Sequence, residues 1–195
     1  LGDVYKRQGA LLTAVPLLAT GGIHMDGFLD TCDARASWGD REKKLQILKD
    51  THAGAFAVTG GGLYLLLYCG GCSELPVRGA AAVSAGFVLS RALSGLAAAV
   101  FPGAREHGML ADFMKDSRRR LVAASMVFYM AVSAGAMILL GGLCGAAAAL
   151  GAILAFLYYR RMVFREFGGV TGDLAGYFLQ LCELFMVPVS YTHLT

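Results

Sequence analysis

The sequence predicts an all-α protein, a polytopic transmembrane helical bundle of about five to six membrane segments. Three observations carry this. Hydrophobic residues make up 56% of the chain against 16% charged, with a mean hydropathy of +0.58. Uncharged apolar runs long enough to cross a bilayer recur along it. The basic residues gather in alternate connections between those runs. Glycine is abundant, at 26 of 195 residues, which suits helices packed backbone to backbone in lipid. A net charge of +3 is too small to suggest a nucleic-acid partner and is accounted for by cytoplasmic loops.

The segments follow in order. Gly9 to Ile23 is apolar but only 15 residues long, with Pro16 inside it, and reads as the end of a helix that began earlier. The acidic stretch TGGIHMDGFLDTCD, Thr20 to Asp33, comes next. In DREKKLQILKD, Asp40 to Asp50, Asp40 is placed to cap a short helix with Glu42 in its first turn. There Leu45 and Leu48 should dip toward the interface while Lys43 and Lys44 stay wet. Ala53 to Cys72 gives 20 uncharged residues, one span. Ser73 to Arg78 is a short polar turn, and Gly79 to Phe101 the next span, interrupted by Arg91. Pro102 to Arg120 reads as a charged loop. Leu121 to Tyr159 runs 39 residues without a charge, roughly 58 Å as a helix, so it must be two spans turning near Gly141-Gly142. Arg160 to Asp173 reads as another charged loop, and Leu174 to Pro188 as the last apolar segment.

A single integral-membrane domain over 9–188 accounts for all of this. Residues 1–8 (LGDVYKRQ) and 189–195 do not continue the neighbouring patterns and are set aside as non-native or disordered ends. The five cysteines are spread through apolar segments, and the CGGC of Cys69 and Cys72 reads as helix-end packing rather than a redox or zinc pair.

Loop charge sets the orientation. Three connections hold Arg35, Arg41, Lys43, Lys44 and Lys49; Arg105, Lys115 and Arg118 to Arg120; and Arg160, Arg161 and Arg165, whereas the opposite ones hold only Arg78. The basic connections are expected on the cytoplasmic side, and the chemistry-bearing motifs lie in or beside them.

On a helix, Asp26, Asp30 and Asp33 fall within an arc of roughly 60°. Three carboxylates there repel one another unless a cation sits among them, and a divalent ion completed by substrate phosphates is the natural remedy. A solvated acidic face is the plainer alternative. Asp50, where the second span begins, is a fourth oxygen ligand or simply a favourable helix-start charge. His24 points away from the aspartate face, so magnesium suits the set better than zinc. Arg91 in mid-span must pair with something, either as a diphosphate clamp or with Glu183 or an aspartate. In GGVTGDLAG, the glycines Gly168, Gly169 and Gly172 around Thr171 form a turn able to present N–H groups to phosphate at a helix start. On the following helix Asp173, Gly176, Gln180 and Glu183 fall within roughly 80° and should line the interior. Arg105 adds to the same cytoplasmic mouth. Such parts fit phosphoryl or nucleotidyl transfer from a diphosphate donor to an alcohol.

TGGIHMDGFLDTCDA, REKKLQILKDTHAGAFAV, LSR at 89–91 and GGVTGDLAG, in that order, resemble the cobalamin synthase family of adenosylcobinamide-GDP ribazoletransferases. The likeness runs from about Thr20 to Glu183. It implies a polytopic enzyme of the bacterial inner membrane with its active site facing the cytoplasm. Such an enzyme joins adenosylcobinamide-GDP to α-ribazole, or its 5′-phosphate, and releases GMP with magnesium. By motif, His24, Asp26, Asp30 and Asp33 match the family's histidine–aspartate signature, and Lys49 and Asp50 its KD pair. Arg91 matches its intramembrane arginine, and Gly168, Gly169, Thr171, Gly172 and Asp173 its glycine turn. Our assignment gives Asp26 and Asp30 to the metal, Asp33 or Asp50 to the base or a second metal, and Arg91 and Lys49 to the diphosphate. The expected partners are the two small-molecule substrates and the lipid bilayer, with room for a homo-oligomer and none for nucleic acid. Family members usually carry more helix before the first motif, so the chain reads as N-terminally truncated. Cys32 stands where alanine is frequent, and Tyr177 where a small residue is common.

Two other readings compete. A CDP-alcohol phosphotransferase also spaces aspartates on membrane helices, but the second half of its motif, GxxxDxxxD, is missing here. A cation-coupled transporter would place Asp26, Glu183 and Arg91 on an ion path near the bilayer midplane.

Overall fold

The computed structural model describes residues 2–105, 110 and 118–190. The loop lysine Lys115 and the tail 191–195 lie outside the described residues. Every element is helical: α1 Gly2–Ala19, α2 Ile23–Ala36, α3 Arg41–Ile47, α4 Ala55–Ser73, α5 Val77–Val100, α6 Arg119–Met162 and α7 Gly172–Ser190. A π-helical turn, Val163–Phe167, continues α6. Among the described residues the only β-type pairing is one isolated bridge, Gly103 with Val170.

Length and composition qualify three helices to cross a membrane: α4, α5 and the stretch Arg119–Phe167. The predicted five to six segments therefore exceed what length and apolarity alone return. The third stretch is too long for one crossing, and Gly142 resolves it with φ 58° and ψ −130°, a conformation closed to residues with a Cβ. The chain reverses there. A Cβ on Gly145 would sit 1.8 Å from the carbonyl oxygen of Met137, eight residues earlier and about 12 Å away in a straight helix. The turn expected at Gly141-Gly142 is therefore present, and each arm is roughly 20 residues long.

The arms flank α5. Gly141 touches Ala82 and Gly95 touches Met126, so the first arm runs antiparallel to α5. Phe156 of the second arm stacks with Phe101 at the end of α5, ring centroids 5.8 Å apart. Phe178 of α7 then packs between Phe156 (5.7 Å) and Tyr159 (4.9 Å), which fixes α7 against the second arm.

Helices α1 and α2 run together along α4. Gln8 donates to the carbonyl of Leu75 at 3.0 Å, and Phe28 lies 5.3 Å from Tyr64. Between the two helices Gly21 and Gly22 both adopt left-handed φ, 61° and 78°. Residues 2–8, set aside on sequence, lie in α1.

The stretch 160–173 is not the loop expected. Helix α6 continues through Arg160 and Arg161 to Met162, the π turn follows, and the helical path ends at Gly168 with φ 74°. Charge alone does not break a helix, and no glycine or proline occurs before that point. The 102–105 segment is joined to the glycine turn by two hydrogen bonds. Ala104 N–H donates to Val170 at 2.9 Å, and Val170 N–H to Pro102 at 2.9 Å. The starts of α4 and α7, the ends of α5 and α6, and α3 thus meet at one end of the bundle. Arg78 lies at the other, beside Gly141.

Candidate active site

Helix α2 carries the acidic face. Gly27 and Gly176 let α2 approach α7 closely, since a Cβ on Gly27 would meet the Asp173 carbonyl oxygen at 2.6 Å. His24 backbone lies against Gly176, and His24 Nδ1 is buried without a partner. The backbone of His24 thus lies at the contact of α2 with α7.

Asp30 is the centre of the carboxylates. Burial pushes its carboxyl up to about 6, and the charges of Asp26, Asp173, Asp33 and Asp50 push the same way. Asp173 is also raised, by burial first, against the pull of Arg105. Asp26 is exposed and Asp30 half-buried. Asp33 is committed otherwise: its Oδ2 accepts from Gly54 N–H at 2.6 Å and its Oδ1 from Ala57 N–H at 2.9 Å. It thereby caps α4, whose own N-cap residue is a glycine without a side chain. Asp50 stands exposed at the mouth, held low by the His52 ring and backbone N–H, both on its Oδ1.

These oxygens are hard donors crowded around a carboxyl that its neighbours drive toward neutrality. That chemistry fits a divalent cation. Among the described residues no three His, Cys, Asp or Glu side chains close on a common point. A cation held here would take one or two of the aspartates and complete its shell from substrate and water, the usual habit of magnesium.

The other predicted residues form two groups. At the rim, Arg105 Nη2 donates to the Leu45 carbonyl at 2.6 Å, and its Nη1 lies 3.8 Å from Asp173 Oδ2. Arg105 and Lys49 line a cleft of ≈ 590 Å³ with Lys43, Gln46 and the acidic pair Asp40 and Glu42. Gly169 abuts Pro102, and Gly168 lies under the Arg41 guanidinium. Thr171 Oγ1 accepts from Leu174 N–H at 3.2 Å and so caps α7. Gly172 has open space beside it.

Deeper in the bundle, Arg91 Nη1 bonds to Glu183 Oε1 and, at 2.8 Å, to Ser90 Oγ. Glu183 is 1% exposed and Gln180 3%, so the polar stripe of α7 does face the interior. Arg91 and Glu183 form an ion pair remote from the rim arginine, the pairing that a mid-span charge demands.

Two residues outside the predicted set organise the rim. Glu166 on the π turn binds Arg35 and Lys44. Tyr177 accepts from Arg35 Nη1 at 2.9 Å and stacks on Phe28 at 5.3 Å. Lys44, expected to stay wet, is thus drawn in, its side chain 15% exposed. Its pairing partner is 122 residues away, which no local pattern reveals.

The fold and site define an integral-membrane, helical protein with a carboxylate-rich site beside basic groups. A model of the cobalamin-5-phosphate synthase family matches residues 5–191. The adenosylcobinamide-GDP ribazoletransferase of Lachnoclostridium phytofermentans is 45% identical over 184 residues, covering 94% of this chain and 70% of that protein. The protein of the same name from Pseudomonas fluorescens SBW25 is 35% identical, with 94% of this chain and 75% of the relative covered. That from Desulfitobacterium hafniense is 33% identical, with 91% and 71% covered. No solved structure matches. The chain belongs to the cobalamin-5-phosphate synthase family, and it is an enzyme. That assignment sets aside the CDP-alcohol phosphotransferase and transporter readings.

Proposed function

We propose that this protein joins adenosylcobinamide-GDP to α-ribazole or its 5′-phosphate and releases GMP, on the cytoplasmic side of a bacterial inner membrane. The acceptor hydroxyl attacks the phosphorus on the cobinamide side of the diphosphate. The bond from that phosphorus to the GMP oxygen breaks, and GMP leaves with the electron pair. One observation carries the reading: four other carboxylates, Asp26, Asp33, Asp50 and Asp173, act on Asp30, and Asp173 pairs with Arg105 of the neighbouring cleft.

Asp26 and Asp30 are the residues that would hold magnesium. When bound, the ion would neutralise the diphosphate and the charge that builds on the leaving phosphate. Arg105 and Lys49 at the cleft orient the donor. Arg91 is held by Glu183, and we keep it as the deeper contact for the donor. The hydroxyl proton passes to a carboxylate, Asp50 being the accessible one, since Asp33 is spent on the start of α4. The glycine turn of Gly168, Gly169, Thr171 and Gly172 sets Asp173 beside Arg105. His24 supports the approach of α2 to α7.

The test is turnover in lipid nanodiscs. GMP should appear from adenosylcobinamide-GDP only with α-ribazole and a divalent cation both present. Asp26→Asn should abolish it with the fold intact. Absence of GMP from folded wild-type protein would overturn the assignment, and normal turnover of Asp26→Asn would remove that residue from the mechanism.

A further inference from the structure

We propose that Glu166 is a positioning residue, locking the short helix α3 in place as a wall of the substrate cleft. Helix α3 has only seven residues, and none of them is buried. A helix that short is not stable alone and takes its place from its ties to the rest of the molecule. Four ties are visible. Asp40 caps its start by accepting from Lys43 N–H at 3.0 Å. Leu48, just past its end, is buried. Arg105 holds the Leu45 carbonyl from one side. Glu166 Oε2 holds Lys44 Nζ at 2.8 Å from the other.

The same carboxylate reaches a second helix. Glu166 Oε1 lies 3.2 Å from both Arg35 Nε and Arg35 Nη2, in the last turn of α2. Arg35 passes the tie on to Tyr177 of α7 through its remaining nitrogen. One side chain on a π turn, a local irregularity that recurs at functional sites, therefore fastens α2, α3 and α7 together. Helix α3 supplies Glu42, Lys43, Leu45 and Gln46 to the cleft, with Asp40 just before it and Lys49 just after it. Freeing it would let Lys49 drift from Arg105, while α2 stays on α7 through the Arg35–Tyr177 hydrogen bond and the close approach at Gly27. Glu166 touches neither the cleft nor the acidic face, so it acts through Lys44 and Arg35.

The consequence for turnover rests on the ribazole-transfer reading, and the consequence for α3 does not. Glu166→Gln keeps the shape and removes the charge. In nanodiscs, amide hydrogen exchange over 41–50 should speed up while α4 and α5 keep their protection. The KM for adenosylcobinamide-GDP should rise roughly tenfold, the scale of a lost charged hydrogen bond, with kcat and the KM for α-ribazole little changed. Lys44→Met should do the same, and the double variant should be no worse than either alone. Wild-type exchange over 41–50 in Glu166→Gln would overturn the proposal. So would loss of protection through the whole chain with equal damage to every kinetic constant. Wild-type protein that makes no GMP would instead defeat the reaction, leaving the exchange result to decide the role of Glu166.

Discussion

Asp30 sets the pH dependence of the empty protein. Its carboxyl is raised from 3.8 to about 6 by burial and by four neighbouring carboxylates. The protonated form is therefore favoured by folding. Its stabilising effect is complete below pH 3.8 and is lost as pH rises through about 6. In chelator, the melting temperature should fall between about pH 4 and pH 6.5, and Asp30→Asn should flatten that fall; equal slopes would show that Asp30 is not under this strain. At Arg91, lysine keeps the charge but loses the planar fork. Arg91→Lys should weaken donor affinity by roughly tenfold, read as KM, with the fold retained; an unchanged KM would leave Arg91 only its pairing with Glu183. Glu183 was one of the partners the sequence offered Arg91, beside an aspartate or a diphosphate, because a charge in an apolar helix has few partners to choose from. The role of Glu166 was not legible, since FREFGG looks like any charged connection and its partners lie far away in the chain. Asp33 was read only as a ligand or base, because its capping of α4 is a contact across 21 residues that no local pattern reveals.

At the scale of elements, the contact of α2 with α7 decides whether the acidic face meets Asp173. Gly27→Ala would bring a Cβ to 2.6 Å from a backbone oxygen that has no room to yield. It should cost about 1–3 kcal/mol of stability and reduce turnover, whereas Gly62→Ala, with nothing within 4 Å, should be neutral. Thermal unfolding in detergent checks both, and equal effects would deny the contact its importance. The hairpin at Gly142 was legible from length alone, because 39 uncharged residues exceed any bilayer. The helix through Arg160 and Arg161 was not, because clustered arginines suggest a loop while costing an exposed helix almost nothing. The start of the short helix after Asp40 was readable, since its cap and first-turn acid are local signals, whereas its end at Ile47 was not.

For the whole molecule, the basic connections, the acidic face and the glycine turn all meet at one end, and Arg78 marks the other. We place the first end in the cytoplasm. In a cysteine-free background, Trp38→Cys should react with an impermeant maleimide only in inverted vesicles and Glu74→Cys only in right-side-out ones; the reverse pattern would invert the topology. Both positions are exposed. The alternation of apolar runs and basic connections made this layout readable. The carboxylate geometry was not, because it depends on how closely α2 approaches α7. The account rests on a cation gripped jointly by Asp26, Asp30 and the donor diphosphate. Electron paramagnetic resonance of Mn²⁺ titrated into the protein in nanodiscs tests this directly. One ion should bind tightly when adenosylcobinamide-GDP is present, and that signal should vanish in the Asp26→Asn, Asp30→Asn double variant. Equal binding by the double variant would contradict it.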